Sequence, residues 1–164
     1  MRLLLKNADD TLALGAALGR VLARAASGDR VPLLLSGSLG AGKTTLVRGL
    51  VSALPGAGQA EVSSPSFNIV NIYPTRPQVA HFDLYRVVGR APEELLEFLD
   101  AKDVLVLAEW IENIPREEWP EEALHLVWRP VPSGRALEIR AWGKAASALL
   151  TDLAPALNQW QKDC

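Results

Sequence analysis

The stretch Val31-Pro32-Leu33-Leu34-Leu35-Ser36-Gly37-Ser38-Leu39-Gly40-Ala41-Gly42-Lys43-Thr44-Thr45 decides the fold. Within it, Gly37, Gly42, Lys43 and Thr44 satisfy the phosphate-binding pattern G-x-x-x-x-G-K-[ST]. The apolar run ending at Leu35 reads as a fully buried strand, and Thr45 through Val51 reads as the helix that leaves the loop. Glycine at 37, 40 and 42 lets the backbone curl its N–H groups around an anion. The helix then aims its free N–H groups and the positive end of its dipole at the same point. Leu39, Ala41 and Thr45 complete the cradle, Lys43 reaches the β- and γ-phosphates of a nucleotide, and the Thr44 hydroxyl sits on a bridging Mg²⁺.

Working outward, residues 2 to 6 predict a short edge strand. Asn7, Asp9 or Asp10 then caps a helix with apolar residues at Leu12, Ala16, Leu18, Val21, Leu22 and Ala25, ending at Ser27-Gly28-Asp29. Thr11, near its start, is a candidate contact for the base of a nucleotide. Downstream of the loop, Leu54-Pro55-Gly56 stops the second helix. A hydroxyl-rich segment, Val62 to Phe67, follows. Asn68 to Tyr73 and Gln78 to Phe82 then read as a hairpin that delivers Asp83. Pro92 to Leu99 reads as a short amphipathic helix. Asp103 to Ala108 is a second buried strand, with Glu109-Trp110 at its carboxyl end. Leu124 to Arg129 and Arg135 to Trp142 alternate as a further hairpin, and a closing helix of residues 144 to 160 is expected to be interrupted or bent at Pro155. The outcome is one α/β domain over residues 1–164. It is a P-loop NTPase-like three-layer arrangement around a mixed, mostly parallel sheet with antiparallel hairpins.

Phosphoryl transfer needs a carboxylate near the metal and a group that orients the attacking water. Asp83 and Glu109 are candidates because both close apolar strands, and open α/β sheets bind ligands at strand carboxyl ends. Ser63, Ser64 and Ser66 are candidate sensors of the γ-phosphate. His81 reads as a packed strand histidine and not as a general base. The chain has no Asn/Thr-Lys-x-Asp stretch for guanine, so adenine is the expected base.

The chain has 164 residues, 49% of them hydrophobic, enough for one ordinary core. With 17 basic against 19 acidic side chains and a net charge of −2, tight unaided binding to a polyanion is not expected. The lone cysteine, Cys164, offers neither a disulfide nor a metal site. No apolar run suits a membrane span or a signal peptide, so a cytoplasmic location is expected. The five tryptophans fit half-buried core positions better than an exposed interface.

Four segments together resemble the bacterial TsaE family of small P-loop ATPases, which assist threonylcarbamoyl modification of adenosine in tRNA. They are the glycine loop, Ser64-Pro65-Ser66-Phe67, His81-Phe82-Asp83-Leu84-Tyr85-Arg86 and Glu109-Trp110. The resemblance implies that ATP and Mg²⁺ are held by Lys43, Thr44 and Glu109, with Asp83 needed for hydrolysis. It also implies that Trp110 lies beside the nucleotide and that Arg135 contacts it. Implied partners are the proteins TsaB and TsaD, with tRNA met only through their complex. Ser66 stands where the family usually has Thr, and Ile111 where Pro is common. Two rival functions share the loop: a small-molecule kinase, and a nucleotide-gated binding module without meaningful hydrolysis.

Overall fold

The short apolar runs become strands because each buries two faces at once. In β2 (Leu33–Ser36), Leu33 and Leu35 enter one core and Leu34 the other. In β5 (Val104–Glu109), Leu105 and Leu107 face the first core, while Val106 and Ala108 face the second. Such runs read as continuously apolar because the period-two pattern has an oily layer on either side. The computed structural model describes residues 1–162, so Cys164 lies outside the described residues.

Around these two strands stand β1 (Arg2–Leu5), β3 (Val70–Tyr73), β4 (Gln78–Asp83), β6 (Ala123–Pro130) and β7 (Arg135–Trp142). Together they form one seven-stranded sheet in the order β1-β7-β6-β2-β5-β4-β3. The central strands β6, β2, β5 and β4 are parallel. Strands β7 and β1 extend one side antiparallel, and β3 pairs antiparallel with β4 on the other. Both hairpins and the β1 edge strand follow the sequence pattern.

Helices α1 (Ala8–Arg24), α2 (Lys43–Ser52) and α4 (Lys144–Leu157) contribute to the first core, and α3 (Glu93–Asp100) covers the second. The Asn7 side chain accepts from the Asp10 N–H at 2.9 Å, and the Asp10 carboxylate accepts from the Lys6 N–H at 2.7 Å. This reciprocal cap fixes the start of α1. Glu122 caps α4 from outside, accepting from the N–H groups of Lys144 and Ala146. The tryptophans are buried or half-buried, in line with core packing.

Three boundaries differ from the sequence reading. The strand expected from Asn68 begins at Val70, because the Ile69 N–H closes a turn onto the Pro65 carbonyl at 2.7 Å and Ile69 adopts φ 67°. The second helix begins at Lys43, directly on the loop, and not at Thr45. The closing helix runs through Pro155 to Leu157, and a 3-10 turn, Asn158–Trp160, follows. Pro155 lacks only the N–H that would bond four residues back, and the helix stops two residues later.

The phosphate-loop helix is held against α1 by close approach of backbones. Gly15 of α1 faces the Leu46 carbonyl, and Gly49 of α2 faces the Leu12 carbonyl, so a methyl group at either position would run into main chain. Gly49→Ala gains about 1 kcal/mol of helix propensity, but overpacking costs about 1–3 kcal/mol, and here the obstacle is backbone. The substitution is therefore expected to lower the denaturant midpoint with an unchanged m-value. Gly28→Ala, in open space, should leave the midpoint nearly unchanged.

Candidate functional site

The site begins where β2 ends. From Ser36 the chain passes through the glycine loop into α2. Gly42 takes φ 116°, a conformation that side chains with a Cβ rarely adopt, and it caps α2 with no side-chain hydrogen bond. The first-turn N–H groups of α2 are thus left without side-chain partners at the mouth of a cleft of about 360 Å³. Lys43 is buried, and its Nζ donates to the carbonyls of Gly37 at 2.6 Å and Ser38 at 3.0 Å. The same Nζ lies 4.0 Å from the centre of the Trp110 ring. Burial pulls the Lys43 ammonium below its ordinary pKa, while Glu109, Glu112 and Asp83 pull the other way.

Strand register brings the acids together. Asp83 of β4 is level with Glu109 of β5, and Glu109 is level with Leu35 of β2. Both carboxylates line the cleft together with Lys43 and Thr44. Glu109 Oε1 accepts from the Thr44 hydroxyl at 2.8 Å and meets His81 Nε2 at 2.8 Å. Asp83 Oδ2 accepts from the Ser64 hydroxyl, and Oδ1 accepts from the Tyr85 N–H at 2.9 Å. Trp110 adopts φ 60°, which turns its ring between Lys43 and Tyr85.

Of the residues expected from sequence, Leu39, Gly40, Ala41, Gly42, Lys43, Thr44, Thr45, Asp83, Glu109 and Trp110 line the cleft. Gly37 sits behind it, giving its carbonyl to Lys43 and its N–H to Glu112 at 3.3 Å. Thr11 and Arg135 border Gly42, where an added methyl would lie 3.4 Å from each, and neither lines the cleft. Thr11 is fully buried, and its hydroxyl lies 3.4 Å from the Asn7 carbonyl, within the cap of α1. Ser64 and Ser66 reach the cleft, whereas Ser63 does not line it.

Three residues were not singled out as site residues. Arg86 is a second cation at the rim, stacked 4.7 Å from the Phe67 ring, and Tyr85 packs on Trp110. Both close the His81–Arg86 run already noted in the sequence. Glu112, bonded to Gly37, carries no such signal.

The cleft suits a nucleotide with a hard divalent cation. Among the described residues no group of three or more His, Cys, Asp or Glu converges as a self-sufficient metal site. One hydroxyl and one carboxylate, Thr44 and Glu109, stand beside the glycine loop instead. That donor set matches Mg²⁺, which keeps waters and shares phosphate oxygens.

A mostly parallel sheet, a glycine loop running from β2 into α2 and acids ending the neighbouring strands define a P-loop NTPase-like α/β protein. The chain belongs to the TsaE family: the model described as "Threonylcarbamoyl adenosine biosynthesis protein TsaE" matches residues 5–136. Similar curated relatives include tRNA threonylcarbamoyladenosine biosynthesis protein TsaE of Streptomyces coelicolor, 42% identical over 117 residues, covering 66% of this chain and 74% of the relative. The Mycobacterium tuberculosis protein of the same name is 36% identical over 121 residues, covering 67% and 68%. The crystal structure of Bacillus subtilis YdiB superposes with a TM-score of 0.75 at 26% identity, covering 94% of each chain. No helix among the described residues is long and apolar enough to cross a membrane.

Beneath the loop, Ser36 Oγ lies 2.8 Å from His125 Nε2. Burial above all, then the Arg140, Arg116 and Arg129 cations against an opposing Glu138, pushes His125 down to about 4 from 6.5. The unfolded ring therefore takes up its proton at a higher pH than the folded one. Its contribution favours the folded state fully above about pH 6.5 and is lost as pH falls towards 4. Denaturant midpoints measured from pH 7 to 5 should fall more steeply for the native chain than for His125→Gln. Equal slopes would contradict this.

Proposed function

We propose that the chain is a magnesium-dependent ATPase, weak alone, that supports turnover of a TsaB–TsaD transferase complex in threonylcarbamoyl modification of adenosine in tRNA. The observation that carries this reading is the meeting of Lys43, Thr44, Asp83 and Glu109 in one cleft. Family membership supports the pathway. The near-neutral charge balance supports contact with tRNA through the partner complex and not through this chain directly.

Lys43 is the mobile cation. Its ammonium, now bonded to two loop carbonyls, exchanges them for β- and γ-phosphate oxygens, a stronger charge-assisted pairing. Loop N–H groups and the first turn of α2 take the remaining phosphate oxygens. Thr44 and Glu109 hold Mg²⁺, which when bound offsets phosphate charge and polarises the γ-phosphoryl group. Asp83, held by Ser64 and the Tyr85 N–H, orients the attacking water and takes up its proton. Trp110 packs against the nucleotide. Arg135, beside Gly42, contacts the nucleotide at that edge of the loop, while Thr11 stays within the cap of α1.

Hydrolysis by the purified chain, alone and with TsaB and TsaD, tests this reading. Lys43→Ala and Asp83→Asn should each lower phosphate release about 100-fold or more, and the partners should raise the native rate. Transfer of phosphate to an added metabolite would favour a kinase. Undiminished turnover of the assembled complex with Asp83→Asn would favour a binding module.

A further inference from the structure

A buried polar chain leaves the cleft on the side away from the glycine loop. Glu109 Oε1 meets His81 Nε2 at 2.8 Å, His81 Nδ1 meets the Tyr73 hydroxyl at 2.9 Å, and that hydroxyl also contacts the Ser63 carbonyl at 3.2 Å. His81 is fully buried and Tyr73 nearly so. Neither lines the cleft, so His81 does not touch the reacting atoms.

Their surroundings make this arrangement costly unless it does something. Val79, on the same face of β4 two residues earlier, belongs to the apolar first core, as Tyr73 itself does. A leucine or valine at position 81 would pack there without any demand for partners, whereas a buried imidazole and phenol must each be bonded. The chain satisfies them in series, His81 bonding Glu109 and Tyr73, and Tyr73 bonding His81 and the Ser63 carbonyl. A carboxylate only accepts, so His81 Nε2 carries the hydrogen in this contact.

The consequence falls on the other carboxylate oxygen. Thr44 and His81 both bond Oε1, which leaves Oε2 without a protein partner among the described residues, in a side chain that lines the cleft. At its far end the chain reaches Ser63, whose neighbour Ser64 bonds Asp83. One short segment is thereby fastened to both acids, to Asp83 directly and to Glu109 through two buried side chains.

Resting on the ATPase reading above, we propose that Tyr73 and His81 are positioning residues for the metal site. They clamp Glu109 so that Oε2 is presented to the cation, and they set the spacing between Glu109 and the Ser63–Ser64 segment that orients Asp83. Groups that hold a metal's ligands in place typically change metal affinity by 10–100-fold when removed.

The test uses the full chain with Tyr73→Phe, which keeps the ring and removes only the hydroxyl, and His81→Gln. Mn²⁺ binding is followed by electron paramagnetic resonance in the presence of a non-hydrolysable ATP analogue. Metal-free affinity is followed with a fluorescent ADP in chelator. The expected result is a Mn²⁺ dissociation constant raised about tenfold in Tyr73→Phe, with ADP affinity in chelator within about twofold of the native chain. His81→Gln should shift Mn²⁺ binding further. If it fails to fold, Tyr73→Phe alone decides. Native Mn²⁺ affinity in Tyr73→Phe, or an equal loss of metal and ADP affinity, overturns the positioning role and leaves the ATPase reading standing. Failure of the native chain itself to bind Mn²⁺ with nucleotide overturns the ATPase reading, and the proposal with it.

Discussion

The cleft depends on the level at which three parallel strands stop. β2 hands over to the glycine loop at Ser36; on β5 beside it and on β4 one strand further out, Glu109 and Asp83 are the last strand residues, at one height. A slip of one residue in β5 would turn Glu109 to the other face and move Ala108 or Trp110 into its place. The register is enforced by the two apolar layers, since Leu105 and Leu107 would have to exchange cores with Val106 and Ala108. Hydrophobic packing therefore sets the position of the acids, and the polar contacts adjust what packing has already placed.

On that foundation the loop and helix α2 supply the opposite charge. An amine buried beside three carboxylates is held partly by them and partly by the carbonyls it bonds. Those bonds pair the cation with neutral carbonyls, whereas a phosphate would pair it with an opposite charge. The Trp110 ring adds a soft face for the same ammonium at the cost of a left-handed backbone. Such strain at a strand end is common where a side chain must be aimed at a ligand. Behind the loop, the interlocked glycines of α1 and α2 stop the cradle from shifting away from the acids.

Much of this was legible in the sequence, because the signals were local. The apolar runs before Ser36 and Glu109 announced strands, and the residues that closed them announced the site. Gly42-Lys43-Thr44 marked the loop as a candidate phosphate cradle through residue types that few other functions require. What stayed hidden depends on register and packing. His81 read as a core histidine, and it is buried, but its bond to Glu109 arises only when β4 and β5 lie side by side. Tyr73 is eight residues from His81 and meets it across a hairpin. Thr11 and Arg135 converge on Gly42 from opposite ends of the chain and stop short of the cleft. Ile69 broke the strand expected at Asn68 because a turn closes there, and an isoleucine gives no warning of a left-handed conformation.

Titration calorimetry with ATP, performed once with magnesium and once in chelator, bears most directly on whether the loop and the two acids form one nucleotide–metal site. Tighter binding with magnesium than in chelator, a difference lost in Glu109→Gln, is the expected result. Equal affinity in chelator, or no heat under either condition, would contradict it.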